Sequence, residues 1–258
     1  MEANFISGTD RQIQIQQLIS RQQRISIAEI CDRFSISAAT ARRDLEALAL
    51  DGKIQRVHGG GIALNQAPAE MPMLQRQGEQ AKEKMRIGQV AAELVSDGGA
   101  VFLGSGTTVL EVARNLRSHQ NLTVITNSLP VVNILAGLEN ITLICLGGLL
   151  RDSEFSFIGH LTEQALAEVR ADQVIIGTRA INLEQGLTND YLPETMTDRA
   201  ILQAGRQVIV VADHTKFGRV ATARLAPINS IHTLVTSRET APDLLKELQD
   251  RGVQVILA

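Results

Sequence analysis

The order of apolar and polar residues divides the chain into two parts with different periodicity. In residues 9–61, apolar residues recur every three or four positions over short segments, which is typical of small amphipathic helices. From Lys82 onward, short apolar runs such as AVFL, TVIT, ITLIC and QVIVVA alternate with helical stretches. This alternation, with glycine-rich strand ends, predicts an α/β fold with a doubly wound, largely parallel sheet.

The segment between these two parts follows neither period. Residues 62–80 are rich in Gln and contain Pro68 and Pro72. Such a stretch is typical of a linker. We therefore expect a helical domain over residues 1–61, a linker over 62–80 and an α/β domain over 81–258.

Two short helices joined by a tight turn are predicted between residues 26 and 50. Ser26 precedes an amphipathic segment and Glu29 stands three residues later, which is the pattern of a capping box. Ser37 can cap a second helix, Ala38–Leu50, after a short turn. This arrangement is a helix-turn-helix, and the basic hairpin predicted over residues 51–61 is the natural candidate for a wing.

The start of the second helix is the candidate DNA-reading surface. In a helix-turn-helix this part enters the major groove, where small residues allow close approach and arginine can pair with guanine. A basic wing can contact phosphates or the adjacent minor groove. The candidate DNA contacts are Ser37, Ala38, Thr40, Arg42, Arg43, Lys53, Arg56 and His58.

Two of these assignments have an alternative interpretation. Arg42 and Arg43 can instead form a solvated face paired with Asp44 and Glu46. The presence of caps, turn, helix and wing in one segment favours DNA binding over that interpretation. His58 suits a loop-stabilising role as well as a DNA contact.

Composition limits the class of protein. With 258 residues, 44% hydrophobic and 21% charged, the chain is typical of a globular protein of about two domains. A net charge of -3 means that any DNA contact is local, and 3% aromatic residues argue against modules that stack on bases.

No apolar run is long enough for a membrane span and no signal peptide is recognisable, so we expect a cytoplasmic protein. Cys31 and Cys145 lie among apolar residues and are expected to be buried thiols.

The clearest chemical signal in the second part is the sequence Gly-Ser-Gly-Thr-Thr between the AVFL strand and a helix. Glycines let backbone N–H groups converge on an anion, hydroxyls add donors, and a helix N-terminus adds positive potential. The loop is neither a Walker A sequence nor G-x-G-x-x-G, so a dinucleotide is not expected. The predicted phosphate ligands are Gly104, Ser105, Gly106, Thr107 and Thr108; the alternative is a tight turn that needs glycine.

Other strand ends can contribute to the same pocket, because ligands of open α/β sheets bind beyond the carboxyl ends of the strands. Lys216 can supply a counter-charge or be an ordinary surface lysine. The further candidates are Thr126, Asn127, Ser128, Gly147 and Gly148, which follow two strands, and Lys216, which follows a third.

Together these motifs resemble the DeoR family of sugar-metabolism repressors. The resemblance rests on Arg42-Arg43-Asp44-Leu45 in the helix-turn-helix and, in the second part, on Gly106-Thr107-Thr108, Thr126-Asn127-Ser128, Leu146-Gly147-Gly148 and Asp213 with Lys216-Phe217. It implies a sensor domain related in fold to ribose-5-phosphate isomerase. It also implies repression at a double-stranded operator and release by a phosphorylated sugar or a related intermediate, with no cofactor and no metal.

The chain departs from the family pattern at two places. Gly104 stands where the family commonly has Asp, and residues 177–182 read Gly-Thr-Arg-Ala-Ile-Asn where the family often has a glycine-rich stretch. Both departures bear on the choice of effector. Arg179 can add a phosphate or carboxylate contact, or simply form a salt bridge.

Two other classes of function fit the sequence less well than a repressor. A sugar-phosphate isomerase needs a carboxylate base and a lysine in Asp-Gly-Ala-Asp and Lys-Gly-Gly-Gly type runs, which this chain lacks, so we expect no catalytic residue and no enzyme. An RNA-binding or architectural module is disfavoured by the scarcity of aromatic residues.

Because one recognition helix contacts few base pairs, we expect a homodimer or homotetramer.

Overall fold

The computed structural model describes residues 7–22, 24–51, 53–57, 59–63, 65–66 and 71–258. Tertiary contacts divide the chain into two compact units, Met1–Gln66 and Ala67–Ala258. In the described residues, no helix is long and apolar enough to cross a membrane.

The helices are α1 Gly8–Gln22, α2 Ile27–Phe34, α3 Ala38–Leu50, α4 Met73–Arg76, α5 Ala81–Ala92, α6 Thr107–Asn115, α7 Leu129–Leu135, α8 His160–Ala167, α9 Leu192–Gln203 and α10 Pro242–Asp250, with 3-10 turns at Leu116–Ser118, His214–Lys216 and Ile228–Ser230. The strands are β1 Arg24–Ser26, β2 Ile54–Val57, β3 Gly60–Ala63, β4 Asn65–Gln66, β5 Ala100–Leu103, β6 Leu122–Thr126, β7 Ile141–Cys145, β8 Leu149–Arg151, β9 Ser156–Ile158, β10 Ala171–Ile176, β11 Ala180–Asn182, β12 Gly186–Asn189, β13 Gly205–Ala212, β14 Arg219–Val220, β15 Ala223–Ala226, β16 Thr233–Thr236 and β17 Gln254–Leu257.

The first unit packs three helices against a small antiparallel sheet of order β1-β3-β2. Its helix starts are set by local capping: the Ser26 hydroxyl accepts from the Glu29 N–H and the Glu29 carboxylate accepts from the Ser26 N–H, as the sequence predicts. Apolar side chains of all three helices and of strands β1 and β2 meet in one core. Its buried members are Ile15, Ile19, Ile25, Ile30, Ala41, Leu45, Leu48 and Ile54.

The second unit is built on a seven-stranded parallel sheet of order β17-β16-β13-β10-β5-β6-β7. Alternate residues of each strand face opposite sides. Val101 and Leu103 enter a core with α5, α6 and α7, while Phe102 enters a second core with α8, α9 and α10. Full burial of such a side chain contributes about 1.5–3 kcal/mol. Helices therefore cover both faces, which confirms the predicted doubly wound α/β fold.

The strand order reverses direction between β5 and β10. From β5 the chain builds outward through β6 to β7, then returns to place β10 on the other side of β5 and continues to β13, β16 and β17. Such a reversal leaves a crevice at the carboxyl ends of the two strands, where ligands bind in folds of this kind.

Two features of the second unit differ from the sequence-based expectation. Residues 71–80 do not behave as a linker, because Met73 is fully buried in the core of the second unit and Arg76 is buried as well. Cys145 is exposed rather than buried, because β7 is an edge strand of the sheet.

Candidate functional site

The start of α3 presents small and basic residues to solvent. Ser37 caps the helix as predicted, with its hydroxyl accepting from the Thr40 N–H at 3.2 Å. Ala38, Arg42 and Arg43 are exposed, and Thr40 is half-buried. The helix therefore offers the small and cationic surface that major-groove reading requires.

The Asp44 side chain forms its hydrogen bonds inside the first unit and does not pair with Arg42 or Arg43. Its two carboxylate oxygens accept from Arg11 of α1, at 2.6 Å from Nε and 3.2 Å from Nη2, and Gln12 adds a third bond at 3.1 Å. In the described part of the chain, Arg42 and Arg43 form no ion pair with Asp44 or any other carboxylate. The interpretation of these arginines as a surface paired with Asp44 is therefore disfavoured.

The predicted wing supplies two exposed cations. Lys53 precedes β2 and forms an exposed ion pair with Asp51 at 3.0 Å, and Arg56 lies on β2 itself. Such an exposed pair contributes little, so Lys53 remains available to a phosphate. His58 lies outside the described residues.

A cavity in the second unit lies at the reversal of strand order. It is formed by the segments that follow β5, β10 and β13 at their carboxyl ends, with additional side chains from α4, α9 and the loop before β9. Its lining comprises Arg76, residues 104–108, Glu154, residues 176–179, Asn189, Glu194, Asp198, Val211 and Lys216. The structure thus brings together seven predicted effector-site residues: Gly104, Ser105, Gly106, Thr107, Thr108, Arg179 and Lys216.

The 104–108 loop presents free hydrogen-bond donors to this cavity. Gly106 has a φ of +107°, a conformation that side chains disfavour, so glycine is needed to turn the chain into α6. Among the described residues, the N–H groups of Ser105 and Gly106 have no acceptor, and Thr107 and Thr108 occupy the first helical turn, where the helix provides none. Neither threonine hydroxyl makes a hydrogen bond to a described residue, although both side chains are mostly buried.

Lys216 lines the same cavity as this loop. It lies on the 3-10 turn after β13, whose start is capped by Asp213 through a 3.0 Å bond from the Thr215 N–H. Its ammonium group forms no hydrogen bond or ion pair with any described residue. Burial lowers the pKa of Lys216, and the nearby charges of Arg179 and Arg76 add to that lowering against the opposing effect of Asp213. An anion in the cavity would remove this penalty.

The two arginines of the cavity are held in place by carboxylates. Arg76 donates to Glu154 in a buried ion pair and to the Met71 carbonyl at 2.8 Å. Arg179 pairs with Asp190 at 2.9 Å. Paired arginines keep their positive charge while their orientation is fixed, which suits recognition of an anion.

The carboxylates of the cavity are engaged as well. Glu194 pairs with Arg151 and accepts from the Ser156 hydroxyl at 2.8 Å. Asp198 accepts from the Asn189 amide at 2.9 Å. These groups offer oxygen acceptors for hydroxyl groups of a ligand.

Five predicted effector-site residues do not line the cavity, because they follow β6 and β7 on the opposite side of β5. The Thr126 hydroxyl donates to the Leu103 carbonyl at 2.7 Å and thereby supports the end of β5. Asn127 donates to the Phe157 carbonyl at 2.9 Å, and Ser128 pairs with Ser156 in an isolated β-bridge.

Gly147 and Gly148 contact α8 instead of the cavity. The Gly147 carbonyl accepts from the Thr162 hydroxyl at 2.8 Å. A Cβ on Gly148 would lie 2.1 Å from that hydroxyl oxygen, so a close approach of the two segments explains the glycine.

Arg76 and Glu154 are parts of the site that the sequence does not predict. Arg76 lies in a four-residue helix within a segment that has no clear periodicity, and its partner Glu154 is 78 positions away. Asp190, Glu194 and Asp198 form an acidic cluster at the start of a helix, which is a weak sequence signal for a sugar site; Glu194 and Asp198 line the cavity, and Asp190 pairs with Arg179.

Comparison with known proteins decides the family. A family model for the DeoR C-terminal sensor domain matches residues 79–238, and a model for the DeoR-like helix-turn-helix domain matches residues 11–67. The chain belongs to the DeoR family. It is therefore a DNA-binding transcriptional regulator, and the cavity at the strand reversal lies within the matched sensor domain.

Named relatives span nearly the whole length of this DeoR-family regulator. The transcriptional repressor AccR of Agrobacterium fabrum is 34% identical over 250 residues, which are 94% of this chain and 97% of that protein. The glycerol-3-phosphate regulon repressor of Escherichia coli is 34% identical over 249 residues, covering 96% and 98%. A putative aga operon transcriptional repressor of Escherichia coli is 30% identical over 255 residues, covering 98% and 95%.

Solved structures show a partial likeness. Ribose 5-phosphate isomerase A from Methanocaldococcus jannaschii shares 18% identity with a TM-score of 0.40, over 54% of this chain and 55% of that one. Nothing about activity follows from this overlap.

Proposed function

We propose that this regulator is a repressor of a carbohydrate-related operon and that a phosphorylated sugar, or a phosphorylated intermediate of similar size, releases it from its operator. The phosphate binds the 104–108 loop, with Lys216 as the counter-charge, and the sugar hydroxyls face Asn189, Glu194 and Asp198. The names of the relatives, which include a glycerol-3-phosphate regulon repressor and an aga operon repressor, support this assignment. Since operator DNA of bacteria lies in the cytoplasm, we place the activity there.

The observation that carries the proposal is the Lys216 ammonium, which pairs with no described residue and lines the same cavity as the N–H and hydroxyl donors of the 104–108 loop. A half-buried cation without a partner among the described residues destabilises the protein when no ligand is bound. A dianion would pair with Lys216 and accept several charge-assisted hydrogen bonds from the loop. Those contacts release DNA only if they are stronger in the arrangement that does not bind DNA. Near-complete switching needs a difference of about 5.5 kcal/mol between the two arrangements.

The proposal is tested by calorimetry with pairs of ligands that differ in one phosphate. Glucose and glucose 6-phosphate, and glycerol and glycerol 3-phosphate, are titrated into the full chain and into Lys216→Met. We expect the phosphorylated member of at least one pair to bind at least tenfold more tightly to the wild type, and Lys216→Met to lose that preference. The matched control is Lys246→Met, which removes an exposed lysine from α10 and should bind as the wild type does. Equal binding of both members of each pair, or unchanged binding to Lys216→Met, would contradict the proposal.

We further propose that the cavity binds its ligand without turnover. Glu154 pairs with Arg76, Glu194 with Arg151 and Ser156, and Asp198 with Asn189. A general base needs a carboxylate that is free to take a proton from the substrate. An isomerase assay with pentose and hexose phosphates should give no rate above the uncatalysed reaction.

A homo-oligomer, either a dimer or a tetramer, is the assembly that we propose for operator binding. The exposed start of one α3 helix can contact only a few base pairs. Because a symmetric pair of such helices contacts twice as many, an oligomer can bind its operator with typical affinity. Sedimentation at micromolar concentration should give a multiple of the 28.0 kDa chain mass. A monomer that binds its operator fully would contradict this assembly.

A further inference from the structure

A second, more basic cavity adjoins the phosphate cavity. The two share Arg76, Arg179 and Lys216 in their walls, but residues 104–108 line only the first. The second has a volume of about 420 Å³, against about 60 Å³ for the first. A ligand that extends beyond the phosphate and the hydroxyl groups facing Asn189, Glu194 and Asp198 therefore has further room on the side of the second cavity.

Two further cations that the phosphate site does not use line this second cavity. Lys84 of α5 is 4% exposed, and its ammonium donates to the Arg76 carbonyl at 2.9 Å, its one hydrogen bond to a described residue. Arg219 of β14 is half-buried and forms no ion pair within the described chain. Buried ammonium groups with donors to spare are costly unless an anion pairs with them.

The two carboxylates that line the second cavity offset its five cations only in part. Glu79 is exposed, and the Asp213 carboxylate accepts from the N–H and the hydroxyl of Thr215. Burial lowers the pKa of Lys84 and the charge of Arg76 lowers it further, against the opposing effects of Asp213, Glu79 and Glu83. The same physical effects act on Lys216, so both ammonium groups retain a cost that a ligand can relieve.

We propose that the effector carries a second anionic group, a carboxylate or a second phosphate, and that this group binds in the second cavity between Lys84, Lys216 and Arg219. This rests on the proposed function, because the first phosphate must occupy the 104–108 loop. Lys216, which lies in the wall shared by the two cavities, then serves both anionic groups of one ligand. A sugar acid phosphate or a sugar bisphosphate is the class of compound that fits.

The test uses two pairs of probes that differ in the second anion. Glucose 6-phosphate is compared with 6-phosphogluconate, which adds a carboxylate, and fructose 6-phosphate with fructose 1,6-bisphosphate, which adds a phosphate. In calorimetric titrations of the full chain, we expect at least one doubly anionic probe to bind at least tenfold more tightly than its partner. The pair that shows this ratio identifies the second group as carboxylate or phosphate.

Variants separate this proposal from the first one. Arg219→Gln should reduce the ratio within the responsive pair at least fivefold and leave the monophosphate affinity within twofold of the wild type. Lys84→Gln should act in the same direction, with thermal unfolding used to check its fold. Arg117→Gln, which removes an exposed arginine outside both cavities, is the matched control.

The failures of the two proposals are distinguishable. If monophosphates bind and need Lys216, but a second anion gives no gain or Arg219→Gln leaves the gain intact, then only the second subsite is refuted. If none of the phosphorylated probes binds, both proposals fail.

Discussion

Arg11 of α1 holds both carboxylate oxygens of Asp44 of α3, and the two side chains are 15% and 6% exposed. The pair ties the helix that carries Arg42 and Arg43 to the first helix of its unit. Within the Arg-Arg-Asp-Leu sequence, the arginines thus face solvent while the aspartate fixes the helix on which they lie.

Loss of this pair should destabilise the first unit. Asp44→Ala leaves the Arg11 charge buried without a partner, and breaking such a pair typically costs about 3–5 kcal/mol. Denaturant unfolding followed by circular dichroism should show an earlier transition for this variant. Glu46→Ala, on the exposed side of the same helix, should change stability by less than about 0.5 kcal/mol. A similar small change in Asp44→Ala would show that the pair does not stabilise the unit.

Arg42 and Arg43 should carry base preference. Each alanine variant should lose about 1–3 kcal/mol of discrimination at one operator position, because a bidentate contact to guanine is removed. The measurement is competition of operator fragments that differ at single positions. Variants that remain as selective as the wild type would refute the assignment of α3 as the recognition helix.

Lys53 should instead act on all sequences alike. Lys53→Ala removes one phosphate contact, so affinity should fall equally for operator and unrelated DNA, and the slope of log affinity against log salt should decrease by about 0.9. Binding titrations over a range of salt concentrations give that slope. A selective loss at one base pair would place Lys53 on a base edge instead.

The helix-turn-helix was accessible from sequence because its determinants are local. At the starts of α2 and α3, backbone N–H groups donate to side chains only three residues away, those of Ser26, Glu29 and Ser37. The 104–108 loop was predicted for the same reason, since its glycine, its hydroxyls and the following helix are contiguous.

The rest of the cavity depends on strand order, which adjacent residues do not reveal. Consecutive strand ends suggest that Thr126 and Gly147 share a pocket with the loop. The chain instead places β10 beside β5 and β13 beside β10, and so brings Arg179 and Lys216 to the cavity at this loop. Arg76 belongs to the site through its ion pair with Glu154, which lies 78 positions away. No residues near either of them in the sequence indicate that pairing.

Lys216 should lower the stability of the empty protein. Because burial lowers its pKa in the folded state, its contribution is unfavourable at neutral pH, and that cost declines as pH rises through the lowered pKa towards the ordinary value of 10.5. Lys216→Met should therefore raise the Tm without ligand at pH 7, and this gain should shrink in alkaline buffer. Lys246→Met should leave the Tm unchanged. A lower Tm for Lys216→Met would indicate that the lysine stabilises the empty protein.

Gly148 should matter for packing and not for ligand binding. Gly148→Ala places a methyl group against the Thr162 hydroxyl, and overpacking of this kind costs about 1–3 kcal/mol. The cost should be smaller in a Thr162→Ala background, which a double-mutant cycle measures. Effector affinity should stay within twofold of the wild type in each variant. A large loss of effector affinity at unchanged stability would show that Gly148 is part of the effector site.

The most direct test of the account measures operator release. The full chain is bound to an operator fragment and titrated with the phosphorylated ligand found by calorimetry and, in parallel, with its unphosphorylated counterpart; Lys216→Met is treated in the same way. We predict that the wild type is released by the phosphorylated compound alone, and that Lys216→Met binds the operator with normal affinity and is not released. Release of Lys216→Met at the wild-type concentration, or equal release by the unphosphorylated compound, would contradict the account.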